Sequence, residues 1–286
     1  MPNHITNRLT IIGTHEQIAQ IRAEIKGEED NQFIDFNTIA KIPEELVGTV
    51  SPMRILTQEE YDAQELRIST DNLTEIEKSW GISRGLTKKM SEEYIKKFGA
   101  DNWYDWQRAN WGTKWNAYDQ VSHSENEIEF DTAWCTPFEA MVNLSKKYPL
   151  VTFEVAYADE DFGYNVGEYT LLNGEVQIEN TPDGGTIEAL EMAMDIKGDE
   201  DYYLEDVLIE DVGDELSSYE ENLCTIAHKR GKLIKGYPLI VLEKLKELAL
   251  SDEQYERIIE IDKLIALQKP DEDDISGLLY GVDNNQ

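Results

Sequence analysis

Five of the six tryptophans in this chain, Trp103, Trp106, Trp111, Trp115 and Trp134, fall within 32 residues, and Lys114 stands among them. Clustered indoles can stack on a planar ligand or a partner loop, or seat a cation over a ring face. Trp111 precedes Gly112 in a turn and is the best placed for an exposed role. With Lys114 and Asn116 it forms a candidate aromatic site. Lys114 could meet an anion there; the simpler reading is an ion pair with a nearby carboxylate or a cation–π contact. Trp115 and Trp134 alternate with apolar neighbours and are assigned to the core. Trp103 and Trp106, three residues apart, suit a short helix lying on a sheet.

The second chemically rich feature is acidic. The chain carries 59 Asp and Glu against 26 Lys and Arg, a formal charge of −33. Residues 1–150 hold 25 acids and 16 bases, residues 151–286 hold 34 and 10, and residues 151–220 hold 21 acids against one base, Lys197. On a helix, Asp199, Glu200, Asp201, Glu205, Asp206, Glu210, Asp211, Asp214 and Glu215 would line one face while Tyr203, Leu204 and Leu208 anchor the other. An ordered face of that kind can imitate duplex DNA, which carries one charge per ~1.7 Å of axis; a merely solvated face is the plain alternative. Such a surface repels phosphate backbones, so the expected partner is a protein with a basic surface and not nucleic acid itself. Asp199, Asp201 and Glu205 could hold a divalent ion weakly, but neither ADEDFG nor KGDEDYYLED fits the calcium loop, and no metal site or cofactor is expected. The basic HKRGKLIK at 228–235 either neutralises acidic helices internally or marks a contact point.

Catalytic signatures are missing. There is no nucleophile elbow, no nucleotide-binding glycine loop and no H-E-x-x-H, so no catalytic residue is assigned. Cys135 and Cys224 are far apart and read as buried free thiols; the four histidines are scattered. No run approaches the ~18 apolar residues of a membrane helix. The N-terminus lacks the pattern of a signal peptide, which places the protein, by expectation, in a cytoplasm.

These residues need elements to position them. Residues 4–13 alternate as a strand, with Ile5, Asn7, Leu9 and Ile11 on one side. Thr14 and Gln17 make a capping box for a helix carrying Ile18, Ile21 and Ile25. Residues 57–110 read as an insertion of short helices, with capping boxes at Thr57–Glu60 and, more weakly, Ser91–Tyr94. A hairpin follows, its strands at 115–121 and 127–134. Thr136 is placed as the N-cap of a proline-led helix, then VTFEVAYA is a strand, and a further hairpin turns at Asn173-Gly174. Thr186 caps another helix, and two more cover 238–249 and 252–267, the last capped by Ser251. The order β-α-insertion-β-β-α-β is the split βαβ arrangement, an α+β ferredoxin-like fold. The predicted domains are a core at 1–56 and 111–182, a helical insertion at 57–110 and an acidic, mainly helical region at 183–286.

The start MPNHITNRLTI, the stretch NWGTKWNAYD, FDTAW before a proline-led helix, and VTFEVAYADEDFG leading into GEYTLLNGE together resemble the YubB ferredoxin-like, or Api92-like, family. The resemblance covers roughly residues 1–56 and 110–180 and implies a ferredoxin-like fold and a gene carried by phages or plasmids. It brings no activity to transfer. The expectation is therefore a non-enzymatic interaction protein, an anti-defence inhibitor that binds a host protein in the host cytoplasm through a DNA-mimicking acidic surface. An enzyme or small-molecule binder using an aromatic pocket around Trp111 and the 115–134 hairpin is the alternative.

Overall fold

The computed structural model describes residues 2–70, 83–198, 204, 208–209, 212–213, 215–233 and 236–268. They fall into two compact units: Met1–Asp161 with Asn165–Thr181, and Phe162–Tyr164 with the described residues from Pro182 onward.

The first unit is built on β1 (His4–Ile12). Its alternation buries Ile5, Asn7, Leu9 and Ile11, all at 0% exposure. It is paired antiparallel on one side to β5 (Glu127–Ala133) and on the other to β6 (Thr152–Asp159). With β4 (Tyr118–Ser122), β7 (Gly167–Leu172) and β8 (Glu175–Asn180), the sheet order is β4-β5-β1-β6-β7-β8. The β7–β8 turn is made by Asn173 and Gly174, both at positive φ (52° and 77°), the two-residue geometry that an Asn-Gly pair supplies. Helix α1 (His15–Ile25) starts from the predicted Thr14–Gln17 capping box. Leu9, Ile11, Ile21, Ile25, Phe130, Phe153 and Val155 share one core with Met141 and Leu144 of a later helix; burying each such side chain is worth roughly 1.5–3 kcal/mol.

Between α1 and β4 lie α2 (Phe36–Ile39), β2 (Ile55–Leu56), α3 (Gln58–Ser69), β3 (Leu86–Thr87), α4 (Lys88–Phe98) and α5 (Trp103–Asn110). β2 and β3 pair in parallel, a contact too short to leave a sequence signal. The Thr57–Glu60 box is present. The Ser91–Tyr94 box is not: α4 begins earlier, capped by Thr87, and the Ser91 hydroxyl donates instead to Asp101 at 2.6 Å. After β5 comes α6 (Phe138–Lys147), whose N-cap is Pro137 and not Thr136. The Thr136 hydroxyl lies 3.2 Å from the Tyr169 hydroxyl, which removes it from capping.

The second unit holds α7 (Ile187–Lys197), capped by Thr186 as expected, α8 (Ser218–Lys229), α9 (Leu239–Ser251) and α10 (Tyr255–Gln268). Ser251 ends α9 and does not cap α10. α8 escaped the sequence reading although Ser217 and Glu220 form its capping box; the acids around it masked the apolar stripe of Leu223, Cys224, Ile226 and Ala227. Part of HKRGKLIK does neutralise local acids: Lys229 lies 3.7 Å from Glu191 and Arg230 3.5 Å from Asp195.

The strongest departure from expectation is Trp111. Its ring is 1% exposed and packs on Phe36 and Trp106 at centroid distances of 5.8 and 5.9 Å, while its Nε1–H donates to the Ala40 carbonyl at 2.8 Å. Trp111→Phe leaves that carbonyl unpaired and a gap beside it. It is expected to cost about 1–3 kcal/mol in urea unfolding. A second test concerns the α1–α6 contact, where Glu24 accepts from Lys147 at 2.8 Å and from the Tyr148 hydroxyl at 2.6 Å. The Lys147 contact, then the Tyr148 and Gln20 hydrogen bonds, lower its pKa from 4.5 to about 2. That contribution is complete above the unfolded carboxylate range and is lost as pH falls toward the folded value. Urea midpoints at about pH 5 and about pH 3 should therefore differ less for Glu24→Gln than for the unmodified chain.

Candidate functional site

Two surfaces of the first unit collect candidate side chains. The first is aromatic and lies at the end of the sheet where β1 begins and β5 and β6 finish. Trp115 and Trp134, assigned from sequence to the core, are 39% and 41% exposed. Two backbone features explain the inversion. The β4–β5 register shifts between Tyr118 and Val121, with Asp119 at φ 47°, so residues before and after this irregularity do not share a face. Trp134 follows β5 at φ 70°, which swings its ring away from the side occupied by Phe130 and Thr132.

Lys114 lies between the two indoles, its Nζ 4.7 Å from the Trp115 ring centroid and 4.8 Å from that of Trp134. The cation–π reading of Lys114 is thus the one realised. Tyr104 meets Trp134 edge-on at 6.4 Å, and the Arg108 guanidinium lies 5.8 Å from the Tyr104 ring. On the other side Trp115 contacts Tyr118, whose ring meets His4 edge-on at 5.6 Å. The Tyr118 hydroxyl is 2.8 Å from His4 Nδ1. Its pKa is pushed up to about 12, first by burial and then by Asp131, Asp119 and Glu160, so three carboxylates border this aromatic end.

The arrangement is fixed from behind. Asp159, 5% exposed, accepts from Asn3 Nδ2 at 3.0 Å, the Asp161 N–H at 3.0 Å and Asn165 Nδ2 at 2.8 Å. The Trp134 N–H donates to the Asn3 carbonyl at 2.9 Å. A polar thread runs through the core to the same turn: Asn7 Nδ2 donates to Thr132 Oγ1 and the Thr132 hydroxyl donates to the Cys135 carbonyl, each at 2.8 Å. Sequence reasoning missed Asp159, Tyr104 and Arg108. Asp159 lay inside ADEDFG, where it looked like one acid among several.

The other two members of the predicted aromatic site are corrected together. Trp111 is interior, as described. Asn116 is structural: its Oδ1 accepts from the Phe36 and Ala117 N–H groups at 2.9 and 3.0 Å, and its Nδ2 donates to Asp35 at 2.6 Å. Both ends of its amide are thereby committed to joining the α2 loop to the approach to β4. Cys135, expected to be buried, is exposed, whereas Cys224 is buried. The Cys135 thiol is raised above its ordinary pKa, first by desolvation, which is not the state of an activated nucleophile.

The second surface is the sheet face turned away from α1 and α6. By register this face carries the carboxylates Glu127, Glu129, Asp131, Glu154, Glu168 and Glu175, with Arg8 the one lysine or arginine in the six strands, while Asp159 stands opposite Ile5 and Glu179 opposite Tyr169 on the other side. Glu129 is 3.5 Å from Arg8 and 3.2 Å from His123. In the paired register no acid stands directly across from another. Glu127 faces Thr10, Asp131 faces Thr6, Glu154 faces Thr10 and Thr170, and Glu168 faces Ala156 and Asn180. Like charges directly opposite would destabilise each pairing; interleaving them with threonine and alanine lets the sheet carry a dense charge. A cavity of about 260 Å³ on this face is lined by Arg8, Thr10, Glu154, Glu168, Thr170 and Ile178.

In the second unit the predicted acidic face can be followed only in part. Asp199, Glu200, Asp201, Glu205, Asp206, Glu210, Asp211 and Asp214 lie outside the described residues, as does Tyr203. Glu215 is exposed and lines a cleft of about 350 Å³ with Glu221, Glu243, Glu247 and Lys244. Leu204 and Leu208, the expected anchors, are buried. Among the described residues no group of three or more His, Cys, Asp or Glu could hold a metal ion, and no helix is long and apolar enough to cross a membrane.

Residues 110–200 match the family model described as a ferredoxin-like domain in Api92-like protein. The crystal structure of a protein api92 from Yersinia pseudotuberculosis is similar over 64% of this chain and 99% of its own, at 12% identity and a TM-score of 0.34. No curated protein matches the chain. Residues 110–200 of the chain are thus similar to the ferredoxin-like domain of Api92-like proteins.

Proposed function

We propose that this protein is a non-enzymatic interaction protein of a phage or plasmid that binds a host nucleic-acid-handling or defence protein and covers its basic surface. The observation that carries the reading is the rigid placement of carboxylates on one face of the first unit's sheet: Glu127, Glu129, Asp131, Glu154, Glu168 and Glu175, with one guanidinium, Arg8. Carboxylates on hydrogen-bonded strands are held at fixed positions, two residues or ~6.6 Å apart along β5, so they meet a cationic partner without being ordered first. The acidic cleft at Glu215 adds to the same character. The mobile-element setting rests on the family resemblance. The competing small-molecule reading loses its pocket, because Trp111 is interior.

The immobilised protein should retain host proteins from lysate at roughly 0.05 M salt and release them by roughly 0.5 M, as the screening length shrinks. Added duplex DNA should displace the same proteins. Retention that is indifferent to salt and to DNA would refute the acidic-surface reading.

A further inference from the structure

We infer that the exposed Trp115–Trp134 pair is a docking point for an arginine side chain of the basic partner, and that Lys114 holds the place of that side chain in the free protein. The inference rests on the proposed partner being basic and adds where it is gripped. Three observations support it. First, these two rings are about 40% exposed while the neighbouring Trp106 and Trp111 are 7% and 1% exposed, and exposed tryptophans on a rigid frame are typical anchors of protein interfaces. Second, a cation already occupies the pair: the Lys114 ammonium is within 5 Å of both ring centroids, at 4.7 and 4.8 Å. Among the described residues Lys114 makes no ion pair with a carboxylate, so nothing but the rings retains it. Third, the rim is complementary to a guanidinium. Asp119 and Glu160 are exposed beside Tyr118 and His4, and neither has an ion-pair partner among the described residues.

Arginine is the fitting occupant. Its planar, weakly hydrated guanidinium stacks on an indole better than an ammonium does and can still donate to the rim carboxylates. Lys114, on a flexible stem with no carboxylate to leave, swings into water as the arginine enters. Arg108 at Tyr104 adds a nearby positive charge, which makes Asp119 and Glu160 necessary for binding and not merely helpful.

The test is titration of the full-length protein with a hexa-arginine peptide by calorimetry at about 0.15 M salt. Lys114→Ala should bind more tightly, by about threefold or more, because the internal competitor is gone. Trp115→Leu with Trp134→Leu should bind about tenfold more weakly with an unchanged circular dichroism spectrum. Asp119→Asn with Glu160→Gln should weaken binding without touching the rings. Weaker binding by Lys114→Ala would mean that Lys114 supports the site and does not compete for it, and unaltered binding by the double tryptophan variant would mean that the peptide is held elsewhere. Either result overturns this inference while leaving the acidic-surface proposal standing. Failure of the unmodified protein to bind the peptide would instead overturn that proposal, and the docking point with it.

Discussion

Everything in the first unit depends on β1 being paired on both edges in one register. With Asn7 opposite Phe130 and Tyr157, and Arg8 opposite Glu129 and Ala156, the odd-numbered residues face the core and the even-numbered ones face away. A slip by one residue would bury Arg8 and Thr10 and expose Leu9 and Ile11, so the alternative is excluded by the cost of burying a guanidinium as well as by lost apolar burial. The same register sets the end of the sheet. Because His4 lies opposite Ala133 and Ile5 opposite Asp159, Asn3 is carried to where its carbonyl receives the Trp134 N–H and its amide reaches Asp159.

That constraint also decides what the charge does. A net charge of −33 works against compactness through self-repulsion. Ion pairs on the surface, such as Lys97 with Glu45 at 2.9 Å, give little relief, since exposed pairs contribute ~0–1 kcal/mol. What makes the acidity tolerable in the sheet is geometry: threonines, alanines and one arginine stand between the acids, and an apolar layer beneath holds the strands in place. Local repulsion is minimised by spacing, while the longer-range field remains available to a cationic partner.

Much of this architecture was legible in the chain. The period-two pattern of β1, the Thr14, Thr57 and Thr186 caps and the Asn-Gly turn each have a local physical cause, and local causes survive folding. What could not be read was the aromatic site, which depended on non-local facts. Trp111 looked exposed because it precedes a glycine, but its indole N–H finds the carbonyl of Ala40, distant in sequence. Trp115 and Trp134 looked buried because alternation was extended across a β-bulge and past a strand end, and neither irregularity carries a sequence mark of its own. For Lys114 the cation–π contact, one of the alternatives that its place between indoles offers, is the one formed.

The backbone at Trp134 has one more consequence. A bulky residue in the left-handed region stores strain of ~1–3 kcal/mol, and here the surrounding amides over-determine it. Replacement by glycine would relieve the dihedral and delete the ring at once. Any selection for thermal robustness alone would therefore push this position toward glycine, and a chain that keeps tryptophan there trades resilience for a side chain displayed to solvent.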